Sequence, residues 1–446
     1  MLNVHLKELF SLKKLLIINF SFLILSSCSI QQKISKSAKQ VINDSSLLAA
    51  HVGISIYEPA TGKYWYNYQG NKYFVPASNT KIPTCYAAMK YLGDSLVGFR
   101  WDIHDTIINI LPSGDPSFLH PDFSSARAIQ LIKGFKYISL LANGYFENKL
   151  GNGWTWNDYQ ETYMAERSAF PMYGNVVKFY LQDDWVKAMP STFEKMISQS
   201  SNKNLKGIRV FRPMESNDFY ISQGESKTVS TTFRTYDGLF PPFPALQAML
   251  LTDTLHIPAT VGMVSGESPK GLKIFHSQPT DSMLKPMMHR SDNFFAEQTL
   301  LMVSNEKLGM MNDEKIIDTL LKADLKDLPQ KPRWVDGSGL SRYNLFTPQD
   351  FVAILNKMKN EFGMERIKVI LPTGGTGTIS NYYKADSNYI FGKTGTLSGV
   401  VAFSGFLYTK KGKLLIFSTL VNNHQASSTA VRRAVEKFIH QLRIKN

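Results

Sequence analysis

Pro76-Ala77-Ser78-Asn79-Thr80-Lys81-Ile82-Pro83-Thr84 sets a hydroxyl and a primary amine three residues apart at the entrance to an apolar run. Positions i and i+3 share one face of a helix, so Ser78 and Lys81 meet if the stretch is helical. The run that follows, Cys85, Tyr86, Ala87, Ala88, Met89, Tyr91 and Leu92, predicts a buried helix ending near Gly93. Pro76 and Ser78 suit its start, where backbone N–H groups lack partners. Pro83 lies about a turn inside, which predicts a small kink or an early first turn. A serine hydroxyl is a weak nucleophile at its own pKa and needs a base within hydrogen-bond reach. Ser78 is the candidate nucleophile and Lys81 its activating base.

Ser-x-x-Lys alone is a weak signal, since it recurs at Ser11, Ser200, Ser282 and Ser304. Two triplets single out Ser78: Ser291-Asp292-Asn293 and Lys393-Thr394-Gly395 each occur once. Each has an expected chance count of roughly 0.1 in a chain this long, and the ordered set is rarer still. The ordered trio resembles the signature of penicillin-binding proteins and class A β-lactamases.

With 446 residues, 43% hydrophobic and 19% charged, the chain is globular and has room for two or three domains. Lys13 and Lys14 precede an apolar run from Leu15 to Leu25, which Leu25-Ser26-Ser27-Cys28 ends. A basic start, a short apolar run and small residues describe a secretory signal, and the run is too short to span a bilayer comfortably. Leu-Ser-Ser-Cys resembles a bacterial lipobox, which implies a signal peptide over 1–27 and lipidation of Cys28. Residues 28–46 are polar and basic and read as a tether. Of the two cysteines, Cys85 then has no disulfide partner and reads as a small core residue. The net charge is +14, of which the signal region supplies +2 (Lys7, Lys13 and Lys14 against Glu8). Such a surface attracts anionic lipids or wall polymers. Nucleic acid is not expected as a partner, because the chain is exported and carries no binding motif for it.

His51 to Tyr57 and Lys63 to Tyr68 read as a hairpin that delivers the chain to Ser78. From about 98 to 277 there are short strand-like runs and no long amphipathic helix. Gly151 to Tyr163 is conspicuously aromatic, a composition more often found in packing than in a ligand site. Helical patterns on both sides of Ser291-Asp292-Asn293 predict a tight loop between two helices, with Asp292 structural. Thr347 and Pro348 read as the N-cap and first residue of another helix. Leu371 to Thr378 is glycine-rich but lacks the Gly-Lys-Ser/Thr ending of a phosphate loop. Val400–Leu407 and Leu414–Val421 read as paired strands. Val431, Val435, Phe438, Ile439 and Leu442 form the stripe of a final helix. The expected class is α+β: an antiparallel sheet flanked by helices, with a large inserted domain. The catalytic domain is expected over 47–97 and 278–446, and the insert over 98–277.

The layout resembles the low-molecular-mass class C penicillin-binding proteins, the D-alanyl-D-alanine carboxypeptidases with endopeptidase activity of peptidase family S13. Gly114 to Ser117, Gly151 to Tyr163, Asp336 to Arg342, Leu371 to Thr378, Gly392 to Val400 and Leu420 to Asn423 all look like segments of that family. The long gap between Ser78 and Ser291 is also similar to it, though this insert is a little short, which implies a trimmed innermost subdomain.

The resemblance implies the penicillin-binding transpeptidase fold and the hydrolysis of D-Ala-D-Ala or D-Ala-diaminopimelate bonds in peptidoglycan stem peptides. Ser78 would attack and Lys81 would take its proton, its pKa lowered by burial and by Lys393. Ser291 would relay a proton to the leaving amine, and Asn293 would bind the peptide amide and Lys81. Lys393 and Thr394 would read the terminal carboxylate, and Gly395 would let substrate lie on the strand edge. The N–H groups of Ser78 and Thr396 would form the oxyanion hole. Asp158, Tyr163, Leu340, Arg342, Leu397 and Ser398 match positions lining a pocket for the diaminopimelate side chain. β-Lactams would acylate Ser78, and the enzyme would work in the periplasm on a lipid anchor. The chemistry needs no metal and no cofactor. Two other readings stand beside this one. One is a serine β-lactamase, against which the long insert and the missing Glu-x-x-Leu-Asn loop count. The other is a non-catalytic wall-binding lipoprotein, against which the intact set of five residues counts.

Overall fold

His51–Glu58 forms strand β1, and Lys63–Tyr68 returns as β2 through a turn with Gly62 at φ 67°. Near the other end of the chain lie β3 (Ile390–Leu397), β4 (Val400–Tyr408) and β5 (Leu414–Asn422). These five pair antiparallel in the order β3-β4-β5-β1-β2, so the two chain ends meet in one sheet. The computed structural model describes residues 47–446 except 143–147, 184, 202–206, 224–227, 236–244, 265–268 and 270, together with 32, 34–39 and 42–44. The expected signal peptide and Cys28 lie outside the described residues.

Alternate residues of a strand face opposite sides, and here both sides are covered. Phe391, Ala402, Phe406, Ile416 and Leu420 share a core with helices α1 (Lys81–Tyr91), α2 (Thr280–His289), α3 (Asn293–Leu308) and α4 (Pro348–Ile370). Val401, Phe403, Leu407, Leu415, Phe417 and Val421 pack against α5 (Ser428–Lys445). Double cover explains why β4 and β5 read as continuous apolar runs. Residues 34–39, expected in a polar tether, are instead helical, with Ile34 and Ala38 buried in the α5 core. The two apolar side chains at i and i+4 share one helical face, and that face outweighs the polar composition around them.

The helix boundaries follow local chemistry. Thr347 and Asp350 cap each other at the start of α4, with Pro348 as its first residue. Asp292 caps α3 by accepting from Phe295 N at 3.0 Å. The chain before α1 makes a 3-10 turn, Ala77–Thr80, which is the early first turn that Pro83 calls for. Pro83 is then third in α1, where its missing N–H costs nothing. Cys85 is buried in this helix, and burial pushes its thiol up to about 12, as befits a core residue.

Between Ser95 and Pro279 the chain builds separate sheets. One has five strands in the order Ala259–Met263, Tyr137–Ala142, Ile107–Pro112, Ser95–His104, Lys273–Pro279, and two others have three strands each. They enclose a core of their own that includes Phe99, Ile110, Phe179, Phe193 and Leu250. Entry and exit strands pair at the neck, with Ser95 opposite Pro279. The short helix Ala245–Leu255 escapes a sequence reading because most of its residues are apolar and no polar stripe marks its outer face. Arg167, fully buried, ties this region to the five-stranded sheet and its helices through Glu297 of α3 and Asp313.

Candidate active site

Ser78 sits in the 3-10 turn, just after Ala77, whose φ of 48° swings the chain into it. Lys81 begins α1 and is completely buried. Its Nζ lies 3.0 Å from Ser78 Oγ and donates to Asn293 Oδ1 at 2.6 Å and to the Ser338 carbonyl at 2.7 Å. Asn293 opens α3, after the tight loop the sequence predicts, and its Nδ2 donates to the Tyr163 carbonyl at 2.9 Å. Ser291 in that loop has φ 61°, a left-handed conformation uncommon for serine. Lys393 on β3 is likewise buried and donates to Ser291 Oγ at 2.8 Å and to the Thr394 carbonyl at 2.6 Å. Two hydroxyl–amine pairs thus face each other, with Asn293 beside the first.

Burial pulls Lys81 down to about 8, while Asp336, Glu297 and Asp292 pull the other way. An amine near 8 is neutral in a useful fraction at physiological pH and can accept a proton from a hydroxyl. The expected contribution of Lys393 to this shift is not among its causes; desolvation alone lowers Lys81. Repulsion by Lys81 is instead felt at Lys393, which burial first, then Lys81 and Arg432, hold well below the ordinary lysine value.

A buried polar shelf supports Lys81. Ser338 N donates to Glu297 Oε1 at 2.8 Å, which holds the Ser338 carbonyl over the amine. Asp336 accepts from Gly339 N, Ser341 N, Asn344 Nδ2 and Trp154 Nε1 at 2.7–3.0 Å, fixing the loop Asp336 to Arg342. Arg167 donates to both Glu297 and Asp313. Sequence reasoning missed Glu297 and Arg167, and took Asp336 only as the start of a family-like loop. The one available signal was Glu297 itself, a lone acid inside the apolar run of α3.

The hydroxyl of Ser78 opens on a cleft of about 400 Å³ lined also by Trp154, Asp158, Tyr163, Asn293, Leu340, Arg342, Thr396, Leu397 and Ser398. All six residues expected around a side-chain pocket therefore line one cleft with Ser78. Gly151 to Tyr163 supplies lining as well as packing: Tyr163 is 45% exposed. Arg342 Nη2 reaches the Ser398 carbonyl at 2.9 Å. Gly395 passes so close to the nucleophile turn that a Cβ there would stand 2.6 Å from Pro76 O and 2.9 Å from Ser78 N. Thr394 Oγ1 donates to Thr378 Oγ1 at 2.7 Å, and Arg432 Nη2 to Thr396 Oγ1 at 2.5 Å; neither Thr378 nor Arg432 was singled out from sequence.

Residues 34–442 match the profile of the D-Ala-D-Ala carboxypeptidase 3 (S13) family. The D-alanyl-D-alanine carboxypeptidase of Actinomadura sp. (strain R39) is 24% identical over 457 residues, covering 89% of this chain and 82% of that one. The D-alanyl-D-alanine carboxypeptidase DacB of Haemophilus influenzae is 23% identical over 422 residues, covering 80% and 82%. The crystal structure of penicillin binding protein 4 (dacB) from Haemophilus influenzae superposes with a TM-score of 0.70 at 20% identity, over 92% of this chain and 98% of that one. Bd0816, a predatory endopeptidase from Bdellovibrio bacteriovorus, superposes at 0.52 with 15% identity, over 89% and 94%. The structural likenesses establish the penicillin-binding α+β fold, and the profile match carries the rest: the chain belongs to the D-Ala-D-Ala carboxypeptidase 3 (S13) family and is a serine-type carboxypeptidase.

Proposed function

We propose that this enzyme hydrolyses D-Ala-D-Ala and D-Ala-diaminopimelate bonds of peptidoglycan stem peptides through an acyl-enzyme on Ser78. The observation that carries the reading is a buried amine, lowered to about 8, that contacts both Ser78 Oγ and Asn293 Oδ1. Ser78 Oγ attacks the carbonyl carbon as its proton passes to neutral Lys81 Nζ. The tetrahedral oxyanion lies between the backbone N–H groups of Ser78 and Thr396, whose strand runs against the serine turn. As the C–N bond breaks, the proton held on Lys81 passes through Ser291, which Lys393 keeps polarised, to the leaving amine, and Lys81 is neutral again. Water then attacks the ester, its proton goes to the same base, and Ser78 is regenerated. Thr394 and Lys393 receive the carboxylate next to the scissile bond, and Asn293 orients the substrate amide. Asp158, Tyr163, Leu340, Arg342, Leu397 and Ser398 form the pocket for the diaminopimelate side chain, Asp158 meeting its ammonium group. β-Lactams present a carbonyl in the same position and acylate Ser78.

In this reading residues 47–97 and 278–446 are the catalytic domain and 98–277 the insert. The protein acts in the periplasm, held by a lipid on Cys28 through a tether that ends before the helical residues 34–39. The test is incubation of the protein with diaminopimelate-containing muropeptides, monomeric and cross-linked, followed by mass spectrometry, with Ser78→Ala alongside. Release of D-Ala or opening of the cross-link that vanishes in the variant is expected. Cleavage that survives in Ser78→Ala, or no cleavage by the wild type, overturns the reading.

A further inference from the structure

A second cleft, of about 600 Å³, adjoins the catalytic strand, with Thr378, Ser380, Tyr382, Lys384, Arg432 and Arg433 among its lining residues. Two hydrogen bonds join it to β3, from Thr394 to Thr378 and from Arg432 to Thr396. Every charged residue in its lining is basic. Arg433 is already engaged: it pairs with Glu436 and lies 4.3 Å over the Tyr382 ring. Among the described residues no carboxylate pairs with Lys384 or Arg432, and Arg432 Nε is buried without a hydrogen-bond partner. The Arg432 guanidinium donates to Thr396 and lies 5.8 Å over the Tyr382 ring, contacts that leave its charge unneutralised, and an incoming anion gains a charge-assisted contact there.

The position of this cleft gives the charge a meaning. The scissile bond divides the substrate into an acyl half, which stays on Ser78, and a leaving amine half, which lies towards Thr394 and Thr396. A leaving D-alanine has one carboxylate, and Thr394 with Lys393 serves it. The leaving half of a cross-link is a whole stem peptide carrying several carboxylates, and these need further cations beyond the strand. Resting on the function proposed above, we infer that this basic cleft binds the acidic leaving stem peptide of a cross-linked substrate, and that cross-linked dimers are therefore cleaved more efficiently than pentapeptide monomers.

The test uses the full chain and compares kcat/KM for a cross-linked muropeptide dimer with that for a pentapeptide monomer. Lys384→Gln is expected to lower the dimer-to-monomer ratio about threefold, and Lys384→Glu about tenfold, as loss and reversal of a partly exposed charge contact imply. Acylation by a labelled penicillin, which has no leaving peptide, checks that each variant is folded. Amidating the carboxylates of the leaving stem other than the one next to the scissile bond should lower the wild-type ratio similarly without altering the protein. A ratio that neither substitution nor amidation moves overturns the inference while leaving the peptidase reading intact. A wild type that releases D-Ala but does not open cross-links does the same. A wild type that cleaves neither substrate overturns both.

Discussion

Lys81 and Lys393 are wholly shielded from solvent, whereas Tyr163 of the inserted segment, which lines the cleft with Asp158, is 45% exposed. The first two stand on α1 and β3, where each amine is held by two or three hydrogen bonds. Asp158 and Tyr163 each come from a single 3-10 turn. Groups whose protonation must be controlled need dry, rigid surroundings, because burial is what lowers an amine. Groups that only select among substrates need shape and a few charges, and a loop on a scaffold supplies these. One cleft thus joins a chemically strict wall to a permissive one, and each wall should fail in its own way.

The strict wall should fail most steeply at its base. Lys81→Ala is expected to slow acylation by a labelled penicillin about 10²- to 10⁴-fold, the range of a lost general base. In the wild type that rate should climb as pH rises through about 8, because only the neutral amine accepts the proton. The slope should be absent in the variant. Stopped-flow acylation between pH 6 and 9.5 reads both.

The tie between the walls comes next. Arg167→Met leaves Glu297 and Asp313 buried beside each other without their counter-ion, at a cost of about 3 kcal/mol or more in denaturant unfolding. Burial and Asp336 already push Glu297 up to about 7. Arg167 holds Glu297 down, so the variant takes up this proton at a higher pH than the wild type does; the deficit should therefore shrink as pH falls towards 7 and level off below it. A deficit independent of pH would mean that the charge is not what the arginine compensates.

A smaller loss is expected where the strand meets the nucleophile. In Gly395→Ala the new methyl meets backbone atoms on the serine turn, so β3 must retreat. Misplacement on that scale costs about 10²-fold in acylation, with the melting temperature little changed. The permissive wall gives the smallest effect. Asp158→Asn should lower kcat/KM for diaminopimelate peptides about three- to tenfold and leave penicillin acylation as it was. A loss in both assays would place Asp158 on the strict side.

What could be read from sequence follows the same division. Ser78, Lys81, Ser291, Asn293 and Lys393 were legible because the chemistry restricts residue type and spacing within short motifs. The alternation of β1 and the caps of α3 and α4 were legible because they depend on neighbours in the chain. Glu297 and Arg167 were not, since their partners lie far away in sequence and each looks like an ordinary charge. Arg432 was hidden for the same reason, on the polar side of a helix whose apolar stripe drew the eye. Ile34 and Ala38 were misjudged because two small apolar contacts decide the fate of a stretch whose average composition is that of a linker.

Those two contacts have a bearing on reach. If the body begins at Ile34 and a lipid is attached to Cys28, about six peptide units separate them, no more than about 20 Å when fully extended. The enzyme would then be held on a short leash and pivot close to the bilayer surface. Its territory would be the layer of wall within one molecular diameter of the membrane, and strands farther out would have to come to it.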